Sequence, residues 1–211
     1  MSTHRTAHRL TLVLTGLTTA VVLTACGGGD SSTDGSTAAG GSASSSASVT
    51  THDDDDVAFA QLMTAHHEQA VEMAQLAADR AGSAEVRDLA ARIEAAQGPE
   101  IETMTGWLDE WGASAPTSGM PMSGMDHGGH DSAGMPGGMS AAELDRLTSL
   151  SGSEFDREFL TMMISHHQGA LDMARTEQAA GSDPDAVALA GRIAADQTAQ
   201  IGEMQALIGR L

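Results

Sequence analysis

Two stretches decide the fold: FAQLMTAHHEQAVEMA, beginning at Phe59, and FLTMMISHHQGALDMA, beginning at Phe159. They lie 100 residues apart, and the offset holds without a gap into ARIEAAQGPEIETM from Ala91 and GRIAADQTAQIGEM from Gly191. Over residues 59–108 against 159–208, 15 of 50 positions are identical, including Phe59, Met63, His66, His67, Met73, Ile93, Gln97 and Met104 with their counterparts. Two copies at so long a period are not a solenoid. Two copies of a helical hairpin suit a four-helix bundle.

Each arm has helical periodicity. Phe59, Leu62, Met63, His66, Ala70, Met73 and Ala77 recur at three- and four-residue spacing and share one face. Gln61, Glu68, Glu72, Gln75 and Asp79 fall opposite. The second arm repeats the pattern with Val86, Leu89, Ile93, Gln97, Ile101, Met104 and Leu108. Gly82-Ser83 divides the first two arms, and Ser182-Asp183-Pro184 the last two, with Pro184 suited to a first helical turn. Asp53 to Asp56 complement the positive end of a helix dipole. Ser140 with Glu143 reads as a capping box for a short helix that Gly152 closes, and Ser153 with Asp156 as a weaker cap of the next. Gly98-Pro99 predicts a kink in the second arm. The expected fold class is all-α: a four-helix bundle over 53–211, built from repeated hairpins at 53–111 and 140–211. A Met/His-rich, Gly/Pro/Ser-rich loop at 112–139 joins them.

Composition narrows the function. The chain of 211 residues carries 10 Lys+Arg, all of them Arg, against 29 Asp+Glu, a formal net charge of −19. Such a chain repels phosphate backbones, and with 2% aromatics and no Tyr it lacks stacking platforms, so nucleic acid is not an expected partner. One Cys excludes an intramolecular disulfide and a multi-Cys zinc site. Arg5 and Arg9 precede an apolar run, Leu10 to Leu23, too short to favour a spanning helix. The run ends in Leu23-Thr24-Ala25-Cys26, which resembles a bacterial lipobox. That resemblance implies a signal peptide at 1–25, acyl chains such as palmitate on Cys26, and an extracytoplasmic protein anchored to the cell membrane by lipid. The Gly/Ser/Thr/Ala-rich stretch within 26–52 reads as a flexible tether.

The central loop carries the sharpest chemical signal. Met120, Met122, Met125, Met135 and Met139 lie within twenty residues, together with His127 and His130. Thioether and imidazole form a soft-to-borderline donor set that selects copper, above all Cu(I), and silver with it, over Mg, Ca or Mn. Met is also adaptable enough for a hydrophobic docking loop, but the two His favour metal. The second signal is the His pair at 66–67 and again at 166–167, each with Met63 or Met163 four residues before the second His. If the two first arms pack together, four His converge. Met73, Met104, Met173 and Met204 fit ordinary core packing, and Gln97 and Gln197 fall on apolar stripes, where each needs a polar partner such as a His nitrogen. There is no Glu-x-x-His of the di-iron bundles, no phosphate loop, no Ser/His/Asp signature and no Cys nucleophile, so no enzyme is expected. Glu100 on the stripe becomes Gln200 in the second copy.

FLTMMISHHQGALDMA closely resembles the signature of the DUF-305 family (domain of unknown function 305), and FAQLMTAHHEQAVEMA a diverged copy of it. The resemblance covers roughly Asp53 to Leu211. It implies a ferritin-like helical bundle, secreted or lipid-anchored, and for some members copper binding linked to metal resistance. Carried over by position, the matching residues are His66, His67, Met73, His166, His167 and Met173, with Met63 and Met163 before them. The first copy departs at Glu68-Gln69, where the second has Gln168-Gly169. The expected function is extracytoplasmic copper sequestration, chaperoning or resistance, with copper ions, the membrane through Cys26, and a metal donor or acceptor protein as partners. Two rival readings are an envelope protein-interaction module using the Met loop and, behind it, a copper-dependent oxidase.

Overall fold

The computed structural model describes residues 51–114 and 135–211. Five helices follow one another: α1 (Asp54–Arg80), α2 (Ala84–Trp111), α3 (Ala141–Ser149), α4 (Gly152–Ala180) and α5 (Pro184–Ile208). No strand occurs among the described residues, and none of their helices is long and apolar enough to cross a membrane. The signal peptide, Cys26 and most of the tether lie outside the described residues, as do Met120, Met122, Met125, His127 and His130.

Local chemistry sets the helix ends. Asp53 is the N-cap of α1 and accepts from the N–H groups of Asp55 and Asp56, while the Asp56 carboxylate accepts from Asp53 N–H, a reciprocal capping box. Ser140 and Glu143 form the capping box of α3 as expected, and Pro184 opens α5 behind an Asp183 cap. Two expectations are corrected. Gly152 does not close the short helix: α3 ends at a Leu150 cap, and Gly152, with φ of 64°, begins α4. Ser153 and Asp156 do not cap α4, whose N-cap is Ser151 without a side-chain bond. Asp156 instead reaches across to the other hairpin. The second arm, α2, runs as one helix with Pro99 inside it.

Packing places α1 along α2, α4 along α5, and α1 against α4 at the centre, with α3 on α4. The apolar interior falls into two clusters. One holds Phe59, Ala60 and Met63 from α1, Met104 and Leu108 from α2, Ala170 to Ala174 from α4, and Leu189 to Ile193 from α5. The other holds Ala70 to Ala77 from α1, Val86 to Ile93 from α2, Phe155 to Met163 from α4, and Met204 and Leu207 from α5. The start of α1 therefore meets the end of α4, so the two run antiparallel. Phe155 and Phe159 stack at 5.7 Å, each ring contributing about 1.5–3 kcal/mol by burial. Between the clusters every long helix changes character, with His66 and His67 on α1, Gln97 and Glu100 on α2, His166 and His167 on α4, and Gln197 and Gln200 on α5.

The hairpins hold one another by their turns. Asp56 accepts from the N–H groups of Ser182 (3.1 Å) and Asp183 (3.0 Å) at the α4–α5 turn. Asp156, 100 residues on, accepts from Gly82 (2.9 Å) and Ser83 (2.8 Å) at the α1–α2 turn. Gly82 leaves that turn room, since a Cβ there would meet the Gly152 backbone at 2.9 Å. Buried charge-assisted bonds of this kind cost more to break than neutral ones. Replacing Asp156 with Ala strands both donors, and urea unfolding should show a loss of about 2 kcal/mol. A loss under about 0.5 kcal/mol, the range of ordinary surface changes, would remove Asp156 from this role.

Candidate metal centre

The antiparallel pairing of α1 with α4 brings the two His pairs together. The rings of His66 and His166 lie 3.6 Å apart between centroids, tilted by 31°. Each also lies 6.4 Å from the neighbouring ring in its own helix, His67 or His167. All four imidazoles are 0% exposed. The convergence expected from the repeat is therefore present.

Hydrogen bonds fix how three of these rings are protonated. His67 Nε2 lies 2.9 Å from Glu100 Oε2, His167 Nε2 2.6 Å from Gln200 Oε1, and His66 Nε2 3.2 Å from the Pro136 carbonyl. Each partner is an oxygen acceptor, so each Nε2 carries the hydrogen and donates it. The lone pair is then left on Nδ1. None of the three Nδ1 atoms has a hydrogen-bond partner, and neither nitrogen of His166 has one. A ring nitrogen held by a carboxylate, amide or carbonyl, with the other nitrogen free, is the usual outer arrangement of a metal-bound His.

Burial also keeps His66, His166 and His167 neutral. His66 is lowered to about 3, first by burial and then by repulsion from His67 and His167. His167 is lowered to about 4 by burial, against an opposing bond from Gln200. His166 falls well below the ordinary range, by burial and then by its three His neighbours. Neutral imidazole is the form that binds a metal.

Gln97 and Gln197, 2% and 3% exposed, were expected to need polar partners, a His nitrogen being one candidate, and no hydrogen bond joins either to a His. Both polar atoms of Gln97 and Oε1 of Gln197 have no partner. The His partners are Glu100 and Gln200, one helical turn further along α2 and α5. These buried polar atoms without partners fit a layer that takes a guest with open coordination sites. Among the described residues no three His, Cys, Asp or Glu side chains are arranged to hold one ion.

Met63 and Met163, beside the His pairs in sequence, are fully buried in opposite clusters. Met73 is buried and Met173 nearly so, each in a cluster core. Of the loop methionines, Met135 is half-buried and Met139 is packed into the core with Leu147 and Phe155.

Residues Met135 to Met139 cross the His66 end of the layer as a strap, and the departure of the two copies from one another explains its path. Gln69 grips the Met139 backbone at both ends of its amide, donating to the carbonyl at 3.0 Å and accepting from the N–H at 2.7 Å. In the second copy Gly169 stands at the matching place, and a Cβ there would run into the Pro136 carbonyl. Gly137, with φ of 71°, packs against the backbone of Ser165 and His166. One copy thus supplies the grip and the other the clearance. Residues 68–69 and 168–169 carried this signal in the sequence, as did Glu100 and Gln200, but their partners came from chain segments far away.

Residues 56–208 match the family described as Domain of unknown function (DUF305). The chain belongs to the DUF305 family. Solved structures of similar chains agree. A DUF305 protein from Streptomyces coelicolor is 33% identical, with 74% of this chain and 93% of that one covered and a TM-score of 0.65. A DUF305 fragment from Deinococcus radiodurans is 31% identical, with 76% and 99% covered and a TM-score of 0.65. CopM in its Cu(II)-bound form is 34% identical, with 74% and 96% covered and a TM-score of 0.61, and CopM is also known in Cu(I)- and Ag-bound forms. No curated protein matches the sequence.

Two outcomes follow from this geometry. Gly169→Ala should destabilise by about 1–3 kcal/mol in urea unfolding, the usual cost of overpacking, because the strap must lift. His66, His166 and His167 also set a pH dependence. Their values in the folded state lie below the ordinary 6.5, so the unfolded chain takes up protons first. Their stabilisation is complete above about 6.5 and is lost as pH falls toward 4, by about 1.4 kcal/mol per pH unit for each ring. Urea titrations from pH 7 to 4.5 should show the fall, and His166→Leu should make it shallower by one ring's share.

Proposed function

We propose that this chain is an extracytoplasmic copper-binding protein, anchored through a lipidated Cys26, that sequesters or passes on copper. Its cargo is Cu(I) or Cu(II), with silver as a close mimic. The observation that carries this reading is the buried His66–His67–His166–His167 layer, in which the Nδ1 atoms of His66, His67 and His167 and both nitrogens of His166 have no hydrogen-bond partner. Similarity to CopM, crystallised with Cu(I), Cu(II) and Ag, supports the choice of metal. Glu100, Gln200 and Pro136 would hold the ring orientations, as outer partners do in metal sites generally.

In this reading the Met/His-rich segment captures the ion first. Met120, Met122, Met125, His127, His130 and Met135 supply soft donors in a stretch whose Gly and Pro residues allow it to wrap a small ion. The four His, with sulfur from Met63, Met163, Met73, Met173 or Met139 where rotamers permit, hold it or hand it on. The acidic surface raises the local cation concentration within about 10 Å at 0.1 M salt. Catalysis is no part of the proposal.

The test is a Cu(I) titration against a competing chelator. The intact protein should compete for more than one ion. His66→Ala with His166→Ala should remove one class of site, and Glu100→Ala should weaken it about 10–100-fold. Deleting 118–134 should remove a second class. An intact protein that cannot compete for copper or silver at all would overturn the reading.

A further inference from the structure

The corner where α1 begins, α4 ends and α5 begins contains two buried carboxyl groups that play no part in metal binding. Asp56 is 0% exposed and Glu177 1%. Asp56 accepts backbone N–H bonds from Asp53, Ser182 and Asp183. Glu177 receives none: neither Oε1 nor Oε2 has a partner, although the Asp56 carboxylate lies beside it. The two groups crowd the same side of Gly181, where a Cβ would meet Asp56 Oδ1 at 2.9 Å and Glu177 Oε1 closer still.

Two bare carboxylates cannot share such a place out of water, because both only accept and both are negative. Some positive species must lie between them. It is not a basic side chain, since the sequence has no Lys and none of the described Arg residues pairs with either group. It is not a metal held by a third carboxylate, because no three acidic or His side chains among the described residues are so arranged. The other charges that face Glu177 are all negative: Asp53 and Asp55 at the start of α1, and Asp172 on its own helix across a shared groove. Asp183, at the start of α5, is joined to Asp56 through its backbone.

The other hairpin junction shows that the acid is not needed to build such a corner. There Asp156 caps the α1–α2 turn as Asp56 caps the α4–α5 turn, yet the residue matching Glu177 is Ala77.

We propose that Glu177 holds a proton that it donates to Asp56, so that this junction between the hairpins is a pH-sensitive latch, closed in neutral or acid conditions and loosened in alkali. The Glu177 carboxyl is pushed up to about 8, first by burial and then by Asp56, Asp53 and Asp55. A raised value means that the stabilisation is complete below the ordinary 4.5 and is lost as pH rises through about 8. Above that, Glu177 becomes a fourth negative charge beside Asp53, Asp55 and Asp56.

The sequence gives this test a quiet background, because Lys and Tyr are absent and there is one Cys. Urea unfolding of the full chain between pH 7 and 9 should show the unfolding equilibrium constant rising about ten-fold and then levelling. Glu177→Gln keeps the shape and a donor to Asp56, and its unfolding constant should stay flat over the same range. Carbon-13 NMR of the Glu177 carboxyl in the unaltered protein should titrate near pH 8, which needs no variant to fold. The proposal is overturned if Glu177→Gln shows the same alkaline loss, or if the Glu177 carboxyl titrates below about pH 6, in the ordinary Glu range.

Discussion

The contact between the His66 and His166 rings, 3.6 Å apart and sealed from solvent, constrains the rest of the bundle. Four imidazoles in an apolar interior interrupt packing that Leu, Ile and Phe would otherwise complete, and so the core is divided in two. Desolvation and mutual repulsion hold His66, His166 and His167 neutral, and neutral rings keep lone pairs. Stability alone does not call for such a layer, because apolar residues of similar volume would pack without stranded polar atoms. Its presence is intelligible as a binding feature set between two cores that keep it rigid.

The two halves of the chain are copies, but the structure uses them unequally. Matching aspartates, Asp56 and Asp156, each cap the turn of the opposite hairpin, so that each half depends on the other. Beyond that the halves diverge where they do different work. Gln69 grips the strap and Gly169 clears its path. Glu100 offers His67 a carboxylate where Gln200 offers His167 an amide. Glu177 adds an acid to one junction where Ala77 leaves the other apolar. Two identical halves would have formed a bundle, but not one with a strap and a distinct latch.

Much of this was legible beforehand. The 100-residue offset, the stripes at three- and four-residue spacing and the Ser140, Asp53 and Pro184 signals give the helices nearly to their ends. Those signals are local, and a helix satisfies its own backbone within four residues. Asp156 was misread because a capping box is judged by spacing alone, whereas its carboxylate found two unpaired N–H groups in another hairpin. Gln97 and Gln197 were misassigned for a related reason: one helical turn decides whether a side chain meets the ring or passes beside it.

The sequence by itself determined the helical class, the repeat, and the acidic, Lys-free character of the chain. These follow from periodicity, composition and side-chain chemistry, which need no knowledge of distant neighbours. Tertiary structure alone decided that α1 and α4 lie antiparallel with His66 on His166, which nitrogen of His66, His67 and His167 keeps its lone pair, and that Glu177 lies beside Asp56. Each of these depends on groups 33 to more than 100 residues apart, brought together only when the apolar faces of two hairpins are buried against each other.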